Sequence, residues 1–94
     1  MSKLPKEYLN PKVENLFQKI KAQHKPIKYK IVTQFQNEGI MINDPHEFQK
    51  GWICAEFIIT LRMVTFQFFD LTQKEKDEIE LKYIKKILAE FTNE

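Results

Sequence analysis

Residues 52–71 form one long apolar block in a chain that is otherwise rich in lysine and glutamate. The chain has 94 residues, which is enough for one domain, because domains usually contain about 100 to 200 residues. Its apolar residues, 43% of the total, are sufficient for one modest core. We therefore predict a single folded domain over residues 1–94, with the apolar block at the centre of its core.

The length of the block is also that of a membrane span, since about 20 apolar residues cross a bilayer. Glu56 and Arg62 would both lie inside such a span, at a cost of about 2.5 to 3.5 kcal/mol each. The first nine residues contain no apolar stretch before a small-residue cleavage site, so we predict no signal peptide. The single cysteine, Cys54, fits a reducing compartment because it has no partner for an internal disulfide. The sequence predicts a soluble cytoplasmic protein that does not enter a membrane.

Two amphipathic helices are predicted at the ends of the chain, because apolar residues recur there at the spacing of one helix face. The first spans about 11–23 and ends before Pro26, since the residue before a proline avoids the helical region. The last spans about 72–91 and starts with Thr-Gln-Lys-Glu, a capping box. Glu80 falls on the apolar face of this helix. We expect it to lie at the solvent-exposed start of the helix or to pair with a cation such as Arg62.

The residues after the first helix predict a β-hairpin. From 27 to 36 apolar and polar side chains alternate with the period of a half-buried strand, and only Val32 breaks the pattern. A turn at 37–39 offers Gly39 for a positive φ, and residues 40–42 can return as the second strand.

The apolar block itself permits two interpretations. In the first, a short helix at 45–50 stops at Gly51 and a strand follows at about 53–67, with apolar side chains at the odd positions. In the second, a helix continues from Pro45 through the block, and Arg62 points into its apolar side. Because a charged side chain there would be costly, we predict the strand.

The predicted fold class is therefore α+β, in the order α-β-β-(short α)-β-α. Two amphipathic helices cover one face of a small antiparallel three-stranded sheet. The alternative is an all-α four-helix bundle. It requires 27–38 and 45–69 to be helical although apolar and polar side chains alternate there as in a strand.

No arrangement of residues predicts an enzyme. His24, His46 and Cys54 are the only histidines and cysteine of the chain, and their separations match no paired zinc-ligand spacing. Gly39 and Gly51 are the only glycines, so no glycine-rich phosphate loop can be built. We predict no catalytic residues, no metal and no cofactor.

Protein binding is the predicted function. A sheet with helices on one side leaves its other side open, and small monomers rarely expose such an apolar patch. The predicted anchors on that side are Trp52, Ile58, Phe66 and Phe68. A self-complementary patch would pair two copies into a homodimer, and a different partner would make the chain a regulator, an inhibitor or an immunity-type protein. If the short helix covers the patch instead, the chain is a closed monomer.

The basic part of the chain supports an alternative function. Residues 1–30 contain eight lysines against two glutamates, and the basic stretch 19–30 includes Lys21, Lys25, Lys28 and Lys30. These lysines would steer an acidic partner or, in the alternative, neutralise RNA phosphates. The element order, with Pro-Ile-Lys-Tyr after the first helix, resembles that of double-stranded-RNA-binding domains, which implies contact across the RNA minor groove. The acidic start of the last helix departs from that family, whose last helix begins with lysines.

Overall fold

A computed structural model describes residues 3–92, which form four α-helices and no strand. The helices are α1 (Leu9–His24), α2 (Lys30–Asn37), α3 (Pro45–Val64) and α4 (Gln73–Glu90). Short 3-10 turns precede α1 at Lys6–Tyr8 and follow α3 at Phe66–Phe68. Helices α1, α3 and α4 pack against one another, and α2 lies against α3. The predicted α+β fold with its three-stranded sheet is wrong, and the all-α alternative agrees with the structure.

The core is built around one side of α3. Ile53, Phe57 and Leu61 follow one another at intervals of four residues, and all three are completely buried. The core residues around them are Leu9, Val13, Phe17 and Ile20 of α1, Phe66 and Phe69 after α3, and Tyr83, Ile87 and Phe91 of α4 and its end. Burying one such side chain contributes about 1.5 to 3 kcal/mol. The apolar block therefore supplies the centre of the core, in a helical conformation.

The predicted short helix at 45–50 is the first part of α3, which continues through the predicted strand at 53–67. The Asp44 carboxylate caps α3 by accepting a hydrogen bond from the backbone N–H of Glu47 at 3.1 Å. Gly51 does not stop the helix, because a glycine inside a helix costs only about 1 kcal/mol relative to alanine. Packing of the 20-residue helix against three others outweighs that cost.

Arg62 was the reason for preferring a strand, and its position in α3 removes that reason. Its side chain lies on the surface of α3, where Nε and Nη2 donate hydrogen bonds to the carboxylate of Glu80 on α4. The two distances are 2.8 and 2.9 Å, the geometry of a bidentate pair. The pairing expected for Glu80 is confirmed. It connects the end of α3 to the first half of α4.

Helix α2 replaces the predicted strand at 27–36. Val32, which broke the alternation, is its one fully buried residue, and Phe35 lies on the same face one turn later. The Phe35 ring packs edge-on against the rings of Phe48 and Trp52, with centroids 5.4 and 6.1 Å apart. An isolated helix of eight residues is unstable in water, so α2 depends on this packing against α3.

The end of α1 and the start of α4 follow the predicted signals. Helix α1 ends at His24, before the proline, and α4 begins after Thr72. The Thr72 hydroxyl accepts from the backbone N–H of Glu75, and the Glu75 carboxylate accepts from the backbone N–H of Thr72, so the capping box is confirmed. Gly39 has a φ of 88°, as the predicted turn requires, but residues 40–42 are a loop rather than a strand.

The two glycines lead to a testable difference. We expect Gly51→Ala to raise the free energy of unfolding by about 1 kcal/mol, because alanine favours a helix and nothing lies within 4 Å of the new methyl group. Gly39→Ala also meets open space, but it should lower the free energy of unfolding by about 1 kcal/mol because of its positive φ. Urea denaturation of both variants checks this pair. A destabilised Gly51→Ala would contradict a helix through this position.

A hydrogen bond from Tyr83 to Glu14 connects α4 to α1. The buried Tyr83 hydroxyl donates to the Glu14 carboxylate at 2.7 Å, and Lys86 lies 3.3 Å from the same oxygen. The bond from Tyr83, followed by one from Gln18, holds the pKa of Glu14 below its usual value of 4.5. Burial, and then the Glu14 carboxylate, raise the pKa of Tyr83 to about 12.

This bond predicts a pH dependence with a definite sign. A lowered carboxyl pKa stabilises the folded state above pH 4.5, and the contribution is lost as the pH falls through the folded-state pKa of Glu14. Tyr83→Phe should therefore be less stable than the wild type near neutral pH, and the difference should shrink under more acidic conditions. Thermal unfolding at a series of pH values measures it. The exposed Tyr8 is the control, and Tyr8→Phe should show no such trend.

Candidate functional site

Helix α3 has a second apolar face that the other helices of residues 3–92 leave open. Trp52, Ile59 and Met63 are 38%, 57% and 64% exposed, and Ala55 lies between them on the surface. Their spacing of three, four and four residues places them on one side of a helix. We call these four residues the α3 stripe. A shallow groove of about 400 Å³ lies along the stripe, with Glu56 and Thr60 at its edge.

The apolar character of α3 is unusual for a helix with an open face. Residues 45–68 have the length and composition of a membrane-spanning helix, but only 28% of the apolar window is buried inside the protein. The core helix of a soluble protein meets the same criterion with most of its surface buried. Much of the apolar surface of α3 is therefore available to another molecule.

The four predicted anchors do not meet on one surface. Trp52 belongs to the α3 stripe, and Phe68 is partly exposed beyond the end of α3, about 18 Å or more along the axis from Trp52. Ile58 is half-buried against the core, and Phe66 is a core residue. The outward sheet face that was to present them does not exist in residues 3–92, because these residues form no sheet.

Ile59 and Met63 are surface residues that the sequence analysis did not identify. In a strand, their odd numbers place them on the inward side with Ile53 and Phe57. In a helix, they lie on the same side as Trp52 and away from the core. The spacing 52, 55, 59 and 63 was the signal that could have identified the stripe.

The four lysines predicted to steer a partner, Lys21, Lys25, Lys28 and Lys30, are divided between two environments. Lys21 and Lys25 both pair with Glu90 near the end of α4, at 3.2 and 2.5 Å. These hydrogen bonds, first that from Lys25, lower the pKa of Glu90. Lys28 and Lys30 instead line a cleft at the beginning of α2. The stretch 19–30 is thus not one continuous basic face.

A cleft beside α2 brings several polar side chains together. It has a volume of about 330 Å³ and lies between the end of α1, the start of α2 and the first half of α3. Gln49 and Trp52 line it, and His24 and Glu56 meet there, with 2.8 Å between Nε2 and Oε2.

His46 and Cys54 have structural surroundings. Nε2 of His46 donates to the carbonyl oxygen of Phe91 at 2.8 Å, so Nδ1 accepts from the Tyr29 hydroxyl at 3.2 Å. These bonds connect the start of α3 to the end of α4 and to the linker before α2. Cys54 is partly buried, and burial raises the pKa of its thiol, which disfavours the reactive thiolate. Within residues 3–92, no three metal-ligating side chains of His, Cys, Asp or Glu come together.

Comparisons with known proteins give no relative. No protein-family model matches the chain, and no curated protein or solved structure matches it significantly. The surfaces of α3 and the cleft beside α2 are therefore the basis for the function proposed below.

Proposed function

We propose that the protein is a non-enzymatic protein-binding regulator or inhibitor of the cytoplasm that docks through the α3 stripe, first of all onto a second copy of itself. The observation that carries this proposal is the exposure of Ile59 and Met63 in line with Trp52. Small monomers rarely leave a contiguous apolar surface uncovered. Removing it from water favours association by about 25 cal/mol for each Å² of apolar surface.

The order of side chains along the stripe favours a second copy. Trp52 and Met63 lie at opposite ends, about 16 Å apart along the helix axis. In a twofold antiparallel crossing of two α3 helices, each Trp52 lies over the Met63 of the other copy, and sulfur–aromatic contacts of this kind are favourable. Ala55 lies between them, and its small side chain permits the helices to approach closely.

The edges of the stripe are polar, which favours a protein partner over a lipid bilayer. Glu56 is paired with His24 on one side, and Arg62 with Glu80 on the other. Protein interfaces commonly have an apolar centre with a polar rim. Within a bilayer, the same charged groups would be costly.

The RNA-binding alternative has less support. Glu90 engages Lys21 and Lys25, two of the four lysines predicted to bind phosphates, which leaves Lys28 and Lys30 of that set. The resemblance to double-stranded-RNA-binding domains depended on a sheet, and residues 3–92 contain none. Four acidic residues between 75 and 80 would repel RNA from the start of α4.

Sedimentation equilibrium of the full chain tests the proposal. We expect the mass to rise from 11.3 kDa to twice that value as the concentration increases from about 1 to 200 μM, a range that covers moderate dimer affinities. A mass that stays at 11.3 kDa over the whole range would contradict self-association through the stripe.

A further inference from the structure

The cleft beside α2 has the size and lining of a small-molecule site. Its volume of about 330 Å³ falls within the range of known ligand pockets, which begins at about 300 Å³. Trp52 forms part of its wall, and its polar lining consists of Gln23, His24, Lys28, Lys30, Gln49 and Glu56. Except for Trp52 and Glu56, these residues lie outside the α3 stripe and its groove.

The unpaired side-chain oxygen of Gln49 is the first observation that points to a ligand. The residue is only 2% exposed, and its Oε1 atom is buried with no hydrogen-bond donor among residues 3–92. Nearly all buried polar atoms in proteins have a partner, since an unpaired one destabilises the fold. A methionine at this position would fill similar space without that penalty. A molecule that enters the cleft and donates an N–H or O–H group to a slightly rotated Gln49 amide would satisfy it.

The other end of the cleft is positively charged. Lys28 and Lys30 flank the start of α2, and neither forms an ion pair within the described part of the chain. No side chain in that part of the chain caps α2 at Tyr29, and the first N–H groups of a helix have no acceptor inside it. Lysines together with free helix N–H groups attract an anionic group. The one carboxylate in the lining, that of Glu56, is engaged by His24.

From these features we propose that the cleft binds a nucleotide, either free or at the end of a strand. The phosphate lies between Lys28, Lys30 and the start of α2. The base lies beside the Trp52 ring and donates an N–H group to Oε1 of Gln49. Stacking on an aromatic side chain accepts any base, and each of the four bases carries an N–H group that can donate to the amide oxygen. Trp52 is shared with the α3 stripe, whereas Gln49, Lys28 and Lys30 lie outside it.

NMR titration of the ¹⁵N-labelled full chain tests the site. The probes are AMP, GMP, CMP and UMP, each up to about 10 mM, together with adenosine and inorganic phosphate alone. For at least one nucleotide we expect saturable shifts of the Trp52 indole N–H and the Gln49 side-chain amide. Adenosine and phosphate should each bind at least about tenfold more weakly, because each makes only part of the contacts. A trinucleotide that binds more tightly than its mononucleotides would assign the site to a strand end.

Variants distinguish specific nucleotide binding in the cleft from nonspecific contact of the nucleotide with surface lysines. Gln49→Met should weaken nucleotide binding about tenfold or more while the melting temperature stays equal or rises. Replacing Lys28 and Lys30 by Gln should also weaken it, whereas Gln at Lys12 and Lys19 of α1 is the matched control and should not. The proposal is overturned if none of the four nucleotides gives saturable shifts, or if Gln49→Met binds like the wild type. Ile59→Glu, which tests docking, should bind nucleotide like the wild-type monomer at low protein concentration, because Ile59 does not line the cleft.

Discussion

Phe57→Ala is expected to lower the free energy of unfolding by about 3 to 5 kcal/mol, the largest effect of any single substitution considered for this protein. Phe57 is completely buried at the middle of α3. Its ring stacks on that of Tyr83 from α4, with centroids 5.6 Å apart and planes inclined by 27°. Its removal leaves a cavity where α1, α3 and α4 meet, because neighbouring side chains collapse only in part.

Chemical denaturation measures this loss, and Phe68→Ala is the matched control. Phe68 is the same residue type, but it is 39% exposed in the turn after α3. We expect its replacement to cost less than half as much as that of Phe57, since a partly exposed ring buries less area. Equal losses in the two variants would contradict the helical packing, which places the two rings in different environments.

Ile59→Glu is expected to weaken self-association about 100-fold or more while leaving the monomer folded. In the proposed dimer, Ile59 lies at the centre of the stripe, where side chains contribute most to binding. A glutamate there would lose its hydration against the apolar surface of the second copy. In the monomer, the side chain at 59 is 57% exposed, so the free energy of unfolding should change by no more than about 0.5 kcal/mol. Sedimentation at matched concentrations gives the association constant.

Leu81→Glu is the control for this substitution. Leu81 is 54% exposed on α4, nearly the same as Ile59, and it lies outside the α3 stripe. This variant should dimerise like the wild type. If both variants lose the dimer equally, the interface is not specific to α3. If Ile59→Glu dimerises normally, the α3 stripe is not the interface.

The end of α1 and the start of α4 were predictable because their signals lie in consecutive residues. The capping box at 72–75 and the proline after α1 act locally, and the structure keeps both. The conformation of 53–67 was not predictable in this way, because its alternating pattern fits a strand as well. Arg62 decided the prediction because it was placed on the apolar side of a helix, whereas in the structure it lies on the surface of α3 and pairs with Glu80, the partner that the sequence had already suggested.

The candidate surfaces were predictable only in part, for the same reason. Trp52 was identified because a large aromatic residue is a common anchor in interfaces. Ile59 and Met63 were assigned to the wrong side once a strand was assumed. Gln49 gave no signal at all, since a glutamine on a helix is usually exposed, and only packing shows that its amide is buried.

Backbone NMR of the full chain most directly tests the central claim, that one helix runs through the apolar block and presents two apolar faces. We predict helical Cα secondary shifts at every residue of Pro45–Val64, with Hα–Hβ contacts between residues three apart. Strand-type Cα shifts over 53–67, with cross-strand contacts to 27–36, would contradict the claim. The α3 stripe and the cleft beside α2 would then both be absent.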